Sequence, residues 1–425
     1  MPCLSEFAPL ADPDFLALHA TFHSGKGSHR PNLTKFSRIG QKTMKHIILI
    51  GIALAAFCGQ IKAQFPGTWD TPSAYNAEWV SRFRQAMAIT KDGGADTKIL
   101  FIGDSTSEGI GSALNNTFVG YGAYPTRVKL SGSSSPPVVN GLGVYNTQDG
   151  RWILGTGWGV SGSSFGFCLG GNNAGVLSES GASGNLTFTP GATQGTYDSF
   201  TVYYLANPGN GSVTATATGG LPATINTNSA AGYGSTTVTA ASAGTGNSLV
   251  ITPVSGTVFI AAVEPFLSTT PSIRKANVGV SGATSGQCSN SSASAWASIQ
   301  AIEYYAPNLT IISLGVNDAA GSVSVSTYIA NIQTIITAAK QSGDVILETM
   351  IPSQNSGWES YEMQYVPALY KLAQANSVPI FDIYRRFGNA FNSAFTSTDG
   401  THPNEYGYWD WASGLDSFIN QFAWK

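Results

Sequence analysis

Charged side chains are scarce in this sequence of 425 residues. Asp, Glu, Lys and Arg make up 11% of it, where about 25% is typical of soluble domains, and the net charge is −3. A chain without a basic excess offers no electrostatic surface to nucleic acid or to anionic membranes, so we predict neither as a partner. The length allows two domains, or one domain that carries a large insertion.

Histidine is nearly absent from most of the chain. Four of the five histidines lie at or before residue 46, and His402 is the only one that follows. No cluster of His and Cys suggests a zinc site, and we predict no metal or other cofactor. A reaction that needs an imidazole base therefore has one candidate.

Cysteine is also scarce, with four residues in the chain. Two of them, Cys3 and Cys58, lie in an N-terminal segment that we expect to be removed. In an oxidising compartment the remaining pair, Cys168 and Cys288, could form one disulfide. The alternative is two unpaired, buried thiols, and the sequence does not decide between them.

The N-terminal region has the pattern of a secretory signal. The basic pair Lys45-His46 precedes a short apolar core over 47–57, and Ala63 offers a small residue for cleavage. The apolar core is shorter than the roughly 20 residues that a membrane span requires. We therefore predict a secreted or periplasmic protein with no stable membrane anchor.

The signal begins directly after Met44, which makes residues 1–43 an unusual leader. We therefore predict that Met44 is the true start, that residues 1–63 form the leader, and that the mature chain begins near Gln64. The alternative is a longer signal that starts at Met1.

Composition divides the remaining chain into three segments. From Arg151 to Glu264 only four residues are charged, helical periodicity is absent, and apolar residues alternate with Thr and Ser. Short strands separated by turn signals predict a β-sandwich or jelly-roll over 151–272. It interrupts a second domain, whose parts are 64–150 and 273–425. The strands of the insert are expected at Leu186–Thr189, Ser235–Ala240, Ser248–Thr252 and Val258–Val263.

The two flanking parts alternate between apolar runs of strand length and amphipathic runs of helix length. This alternation predicts an α/β domain with a parallel sheet that is covered on both faces. Strands are expected at Lys98–Ile102, Ala276–Val280, Leu309–Leu314, Asp344–Met350 and Val378–Ile383. Helices are expected over 73–91, Ser291–Tyr305, Tyr328–Ala339, Tyr361–Ala375 with a kink or boundary at Pro367, and Glu405–Phe418.

Four short motifs lie at the ends of predicted strands or just before the last helix. Open α/β sheets place ligand-binding groups at the carboxyl edge of their strands, so the four are expected to meet there. Each one alone is better explained as a turn or a helix cap. They are Gly103-Asp104-Ser105, Val280-Ser281-Gly282-Ala283, Gly315-Val316-Asn317-Asp318 and Asp399-Gly400-Thr401-His402-Pro403.

Together the motifs contain the parts of an acyl-transfer site. A serine hydroxyl needs a base, and His402 could take the proton of Ser105 while Asp399 orients the imidazole. The alternative is a surface histidine beside a turn aspartate, but no other histidine competes for the role of base. Acyl transfer also needs donors for the developing oxyanion, and the backbone N–H of Gly282 and the side-chain amide of Asn317 could supply them.

In combination these motifs resemble the SGNH, or GDSL-type, hydrolase family over roughly residues 73–125 and 273–420. The resemblance implies a three-layer, flavodoxin-like fold and a hydrolase that needs no cofactor. It implies that Ser105 is the nucleophile and that His402 and Asp399 complete the triad. It also implies that Gly282, Asn317 and the backbone N–H of Ser105 bind the oxyanion.

The inserted segment departs from compact members of the family. Some members that remove acetyl groups from polysaccharide or peptidoglycan carry a similar β-sandwich, which resembles a carbohydrate-binding module. In such a module aromatic side chains could stack on sugar rings; the alternative is that they are core residues. The candidates are Trp152, Trp158, Tyr203 and Tyr204.

The expected function is that of a secreted serine esterase, which removes short acyl groups, most simply acetyl, from a polysaccharide or peptidoglycan. The expected partner is an acylated glycan, and the sequence indicates no oligomeric state. One alternative is a lipase, thioesterase or acyltransferase that uses the same site. The other is a surface protein that binds glycan and has lost activity.

Overall fold

A computed structural model describes residues 77–108, 124–130, 136–146, 150–161, 174–181, 183–190, 195–291 and 297–423. All of them belong to one unit, Gly67–Lys425. The expected leader over 1–63 lies outside the described residues, and so does Cys168.

Strands account for much of the first two thirds of the described chain, and helices for most of the last third. The strands are β1 (Thr97–Gly103), β2 (Val138–Asn140), β3 (Tyr145–Asn146), β4 (Trp152–Leu154), β5 (Gly159–Val160), β6 (Ala174–Gly175), β7 (Leu177–Glu179), β8 (Leu186–Phe188), β9 (Tyr197–Ala206), β10 (Ser212–Ala217), β11 (Ala223–Asn226), β12 (Gly232–Gly244), β13 (Leu249–Ser255), β14 (Val258–Phe266), β15 (Ile273–Asn277), β16 (Leu309–Ser313), β17 (Asp344–Glu348) and β18 (Ile380–Phe381). The helices are α1 (Ser81–Lys91), α2 (Ser105–Glu108), α3 (Tyr124–Arg127), α4 (Ser285–Cys288), α5 (Ser298–Tyr305), α6 (Val316–Ala320), α7 (Val325–Ala339), α8 (Ser356–Asn376), α9 (Ile383–Arg386) and α10 (Glu405–Ala423), with a 3-10 turn at Ala77–Val80.

Six strands form a parallel sheet in the order β18-β17-β16-β1-β15-β2. Every residue of β16 and β17 is buried, as in parallel sheets that are covered on both faces. The helices form two contact groups: α10 packs with α1 and α3, while α7 packs with α4, α5 and α8. The expected mixed α/β fold with a parallel sheet is confirmed.

Two five-stranded antiparallel sheets come from the chain between β2 and β15, in the orders β11-β10-β13-β8-β4 and β12-β9-β14-β7-β5. The two sheets share one hydrophobic core, to which Val202 of β9 and Ile251 of β13 both contribute. Neighbouring residues of β9, Tyr203 and Leu205, point the other way and join the core around the parallel sheet. The second antiparallel sheet is therefore largely covered on both faces at β9 and β14, while its edge strand β12 is partly exposed.

Most expected elements occur within a few residues of their expected bounds, but Pro367 does not break its helix. Proline lacks an N–H and usually ends a helix, yet α8 runs without interruption from Ser356 to Asn376. Tyr365 and Leu369, on either side of the proline, are fully buried, so tertiary packing outweighs the lost hydrogen bond. The expectation of a helix boundary at Pro367 is wrong; the expected kink stays a prediction.

Two further elements differ at their N- or C-terminal ends. The strand expected over Ala276–Val280 ends at Asn277, because the side chain of Asn277 accepts the N–H of Gly279 at 3.0 Å and turns the chain. The helix expected from Ser291 begins at Ser298, and residues 292–296 lie outside the described part of the chain.

A buried ionic network joins the second antiparallel sheet to the parallel sheet. Glu264 of β14 accepts hydrogen bonds from the hydroxyls of Tyr203 (3.1 Å) and Tyr305 (2.8 Å) and from the guanidinium of Arg274 on β15 (3.2 Å). Arg274 also pairs with Asp96 beside β1. Glu264 is 1% exposed, so these donors supply the hydrogen bonds that water would otherwise provide.

Removing the carboxylate at the centre of this network takes a buried acceptor from two tyrosine hydroxyls and leaves Arg274 with one carboxylate partner fewer. We therefore expect Glu264→Ala to lower the free energy of unfolding by about 3–5 kcal/mol, as measured by urea denaturation. The matched control is Glu303→Ala, since Glu303 is exposed and accepts a hydrogen bond from Gln341 at 2.7 Å. Equal, small effects of the two substitutions would contradict a structural role for the network.

Candidate active site

The four sequence motifs meet at the carboxyl edge of the parallel sheet. Ser105 opens α2 one residue after β1, Gly282 follows β15, and Asn317 lies in α6 after β16. Because β1 pairs in parallel with both β15 and β16, these three strand ends are neighbours. The loop with Asp399 and His402 immediately precedes α10.

Ser105, His402 and Asp399 form a continuous chain of hydrogen bonds. The Nε2 atom of His402 lies 2.8 Å from the Oγ atom of Ser105. On the other side of the ring, Nδ1 lies 2.7 Å from the Oδ2 atom of Asp399. These distances fit an imidazole that receives the serine proton while a carboxylate fixes its tautomer.

The Asp399 carboxyl is held in its ionised form. Burial acts to raise its pKa, but the peptide N–H groups of His402 (2.9 Å) and Thr401 (2.8 Å), the hydroxyl of Ser397 (2.8 Å) and the His402 ring outweigh burial and lower the pKa to about 2. Each of these donors stabilises the charged form. The carboxylate therefore stays available to the imidazole throughout the neutral pH range.

The backbone at Gly282 is open on the side where a Cβ atom would stand. Its φ of +76° is a conformation that side chains disfavour, and a Cβ built there would meet nothing within 4 Å. The Nδ2 atom of Asn317 donates to the carbonyl oxygen of Ala283 at 3.1 Å, which ties the third motif to the second. The side-chain NH2 group of asparagine has two donor hydrogens, so the second one is free to donate to another acceptor.

The first motif depends on close packing between α2 and its own strand. A Cβ atom on Gly103 would lie 1.9 Å from the Oγ atom of Ser107, so only glycine lets the chain turn sharply enough after β1. Asp104 caps this turn, since its Oδ1 accepts the N–H (2.8 Å) and hydroxyl (2.7 Å) of Thr106. Burial raises the pKa of Asp104 to about 6.

Residues 230–409 match the family model of GDSL-like lipases and acylhydrolases. The matched range contains Gly282, Asn317, Asp399 and His402, while Ser105 precedes it. The chain carries a GDSL-like acylhydrolase domain. It is an ester-hydrolysing enzyme. No curated protein sequence matches the chain.

Solved structures with the same fold include esterases. A structure titled "Peptidoglycan O-acetylesterase in action, 5 min" aligns with 82% of this chain and 97% of its own, with a TM-score of 0.57 and 16% identity. A carbohydrate esterase of family 3 from Talaromyces cellulolyticus covers 37% of this chain and 78% of its own, with a TM-score of 0.30 and 19% identity. A family two carbohydrate esterase from Cellvibrio japonicus covers 66% and 98%, with a TM-score of 0.28 and 12% identity. At these identities the first likeness shows the fold alone, and the other two are too distant to support an argument.

Asp318 of the acylhydrolase has a structural role that sequence reasoning did not assign. Its carboxylate is fully buried and accepts the N–H (2.9 Å) and the hydroxyl (2.6 Å) of Ser285. Burial raises its pKa. This contact joins α6, which carries Asn317, to α4, which follows the Gly282 turn. The only signal in the sequence is its place directly after Asn317.

Glu108 is a second buried acid that the sequence did not single out. It ends α2, is 4% exposed, and its Oε2 atom has no hydrogen-bond partner among the described residues. Burial raises the pKa of Glu108 to about 8. The charge of Asp104 raises the pKa further, while the hydrogen bond from the peptide N–H of Ser281 lowers it.

In the described part of the chain no three His, Cys, Asp or Glu side chains converge on a point where a metal ion could bind.

The structure does not support the expected glycan contacts in the acylhydrolase's insert. Trp152 (7% exposed), Trp158 (8%) and Tyr203 (5%) are buried, so their ring faces are covered by protein. Tyr204 is half-buried and lies against Gly234, where a Cβ atom would come within 2.4 Å of its ring. The alternative, that the aromatic candidates are core residues, is therefore correct for Trp152, Trp158 and Tyr203.

Cys288 lies at the end of α4 and is disulfide-bonded. The alternative of a free thiol is therefore wrong for Cys288. Its partner lies outside the described residues, so the pairing with Cys168 stays a prediction.

The raised pKa of Glu108 predicts a pH-dependent stability. In the unfolded chain the carboxyl ionises near pH 4.5, and in the folded enzyme near pH 8. The folded state therefore binds the extra proton between these values, and the stabilisation that is complete below pH 4.5 is lost as the pH rises to about 8. Relative to Glu108→Gln, the free energy of unfolding of the wild type should fall by roughly 4–5 kcal/mol across this window.

The measurement is urea denaturation of both proteins at several pH values. Asp104 also has a raised pKa, so its ionisation lowers the free energy of unfolding too, but at lower pH. Comparing the two proteins removes this contribution, because both contain Asp104. Parallel pH profiles of the wild type and Glu108→Gln would show that Glu108 is already ionised in the folded enzyme.

Proposed function

We propose that this acylhydrolase is a serine esterase that removes short acyl groups, acetyl foremost, from a polysaccharide or peptidoglycan. The hydrogen bonds from Ser105 to His402 and from His402 to Asp399 carry the proposal. A nucleophile, a base and an orienting carboxylate at these distances are the groups that activate a serine for acyl transfer.

In the first half of the reaction, the Oγ atom of Ser105 attacks the ester carbonyl and its proton passes to Nε2 of His402. The negative carbonyl oxygen of the tetrahedral intermediate is bound by the N–H groups of Ser105, Gly282 and Asn317. The ionised carboxylate of Asp399 stabilises the imidazolium. The imidazolium then gives its proton to the leaving sugar hydroxyl, and an acyl-enzyme remains.

In the second half, a water molecule attacks the acyl-enzyme. His402 removes a proton from the water, the same donors bind the oxyanion, and Ser105 recovers its proton as the acid leaves. The chemistry therefore balances with water as the only co-reactant.

The carbohydrate part of the proposal is supported by the fold. A solved structure that aligns with 82% of this chain and 97% of its own, at a TM-score of 0.57, is described as a peptidoglycan O-acetylesterase. We propose that the two antiparallel sheets form a β-sandwich inserted into a three-layer, flavodoxin-like domain, with domain limits at 64–150, 151–272 and 273–425. Their shared core supports this arrangement.

The proposal is tested by the release of p-nitrophenol from p-nitrophenyl acetate and of acetate from acetylated xylan and O-acetylated peptidoglycan. Ser105→Ala and His402→Ala should each lower kcat by about 10³-fold or more, because the nucleophile or its base is lost. Asn317→Ala should lower kcat by about 10²-fold with little change in KM, because the donor acts on the transition state.

The matched control is Ser326→Ala, which removes an exposed serine hydroxyl from α7. It should leave kcat unchanged. Wild-type rates in Ser105→Ala or His402→Ala would contradict the assignment of the triad. A preference for long acyl chains would indicate a lipase or thioesterase instead.

We also propose that the protein is exported, on the strength of the signal pattern after Met44. None of the helices in the described residues is long and apolar enough to cross a membrane. Sequencing the N-terminus of protein recovered outside the cytoplasm should find a chain that begins near Gln64. A mature form that keeps residues before Met44 would contradict both the start site and the cleavage.

A further inference from the structure

Exposed aromatic rings are few in the described residues. Three large aromatic side chains are exposed: Tyr406 (75%), Trp409 (46%) and Tyr304 (43%). Tyr304 lies at the insert, where its hydroxyl bonds to Ser235 at 3.0 Å. The other two lie together on α10, three positions apart, and therefore on one face of that helix.

The first turns of α10 lie beside the triad. The helix begins at Glu405, three residues after His402, whose ring bonds to Ser105. Tyr408, between the two exposed rings, is fully buried. Its pKa is raised by burial and then by the charges of Asp104, Glu108 and Asp399, which lie near the nucleophile. One side of this helical segment thus faces the catalytic groups while another presents two rings to solvent.

Trp409 is held in place by Arg127. The guanidinium carbon lies 4.5 Å from the centroid of the indole ring, within the range of a cation–π interaction. A ring that is already oriented loses less side-chain entropy when a ligand packs on it. Trp409 is therefore a preoriented ring, and Tyr406, three positions earlier on the same helix face, enlarges the exposed aromatic surface beside it.

We propose that Tyr406 and Trp409 form a sugar-stacking subsite that holds the glycan chain next to the ester attacked by Ser105. This inference rests on the proposed function, because it assigns the place where that enzyme binds the carbohydrate part of its substrate. Pyranose rings have apolar C–H faces that pack on aromatic rings, while their hydroxyls stay hydrated. The subsite replaces the insert aromatics, three of which the structure buries, as the contact with sugar.

The subsite predicts a difference between small and polymeric substrates. p-Nitrophenyl acetate has no sugar, so Tyr406→Ala and Trp409→Ala should hydrolyse it at the wild-type rate. On acetylated xylan or O-acetylated peptidoglycan, whichever the wild type deacetylates faster, each substitution should lower kcat/KM by roughly three- to tenfold. The double variant should lose more than either single one, and Trp409→Phe, which keeps a ring, should retain most of the activity.

The matched control is Tyr304→Ala, which removes an exposed ring from α5, away from α10, and should leave both activities unchanged. Melting temperatures of all variants separate a loss of binding from a loss of folding. Polymer kinetics in the double variant equal to those of the wild type would overturn the subsite and leave the esterase assignment standing. A wild type that cleaves p-nitrophenyl acetate but neither polymer would overturn the glycan assignment and the subsite together. A wild type inactive on all three esters would overturn the proposed function itself.

Discussion

The parallel pairing of β1 with both β15 and β16 is the constraint on which the rest of the site depends. It places the turns after three strands side by side, although the chain between β1 and β15 contains two complete antiparallel sheets. Hydrogen bonds then fix the turns to one another: Asn317 binds the backbone after Gly282, and Asp318 binds Ser285. His402 completes the arrangement from the loop before α10, through its contact with Ser105. The geometry of the site therefore follows from the strand order, because no single motif contains all the groups that acyl transfer needs.

The same pairing explains how two antiparallel sheets between β2 and β15 are accommodated without separating the strand ends that carry the site. The chain leaves the sheet after β2, at one edge, and returns through β15, next to β2. One antiparallel sheet packs against the parallel-sheet core, and Glu264 links it to Arg274 on β15 itself. The two antiparallel sheets are therefore packed into the same folded unit as the parallel sheet. The buried rings of Trp152 and Trp158 contribute to the core that these two sheets share.

The sequence was sufficient to predict the parallel α/β fold, because buried parallel strands and amphipathic helices have distinct periodicities. The esterase motifs were recognisable because His402 has no competitor and each motif follows a strand. Other features depend on contacts between distant parts of the chain. Trp152 and Trp158 have the same chemistry whether they lie in a core or on a surface, and only the strand pairing shows that they are buried. Similarly, no local pattern marks Glu108 as a buried acid, since its surroundings come from a turn more than 170 residues away. Pro367 shows the reverse case, in which tertiary packing overrides a strong local preference.

The central claim is that Ser105 is a nucleophile activated by His402, and labelling with a fluorophosphonate tests it most directly. This probe reacts covalently with an activated serine, and mass spectrometry of peptides locates the adduct. The structure predicts one adduct on Ser105, its loss in His402→Ala, and folding of that variant comparable to the wild type. An adduct on another serine, or undiminished labelling of Ser105 in His402→Ala, would contradict the account.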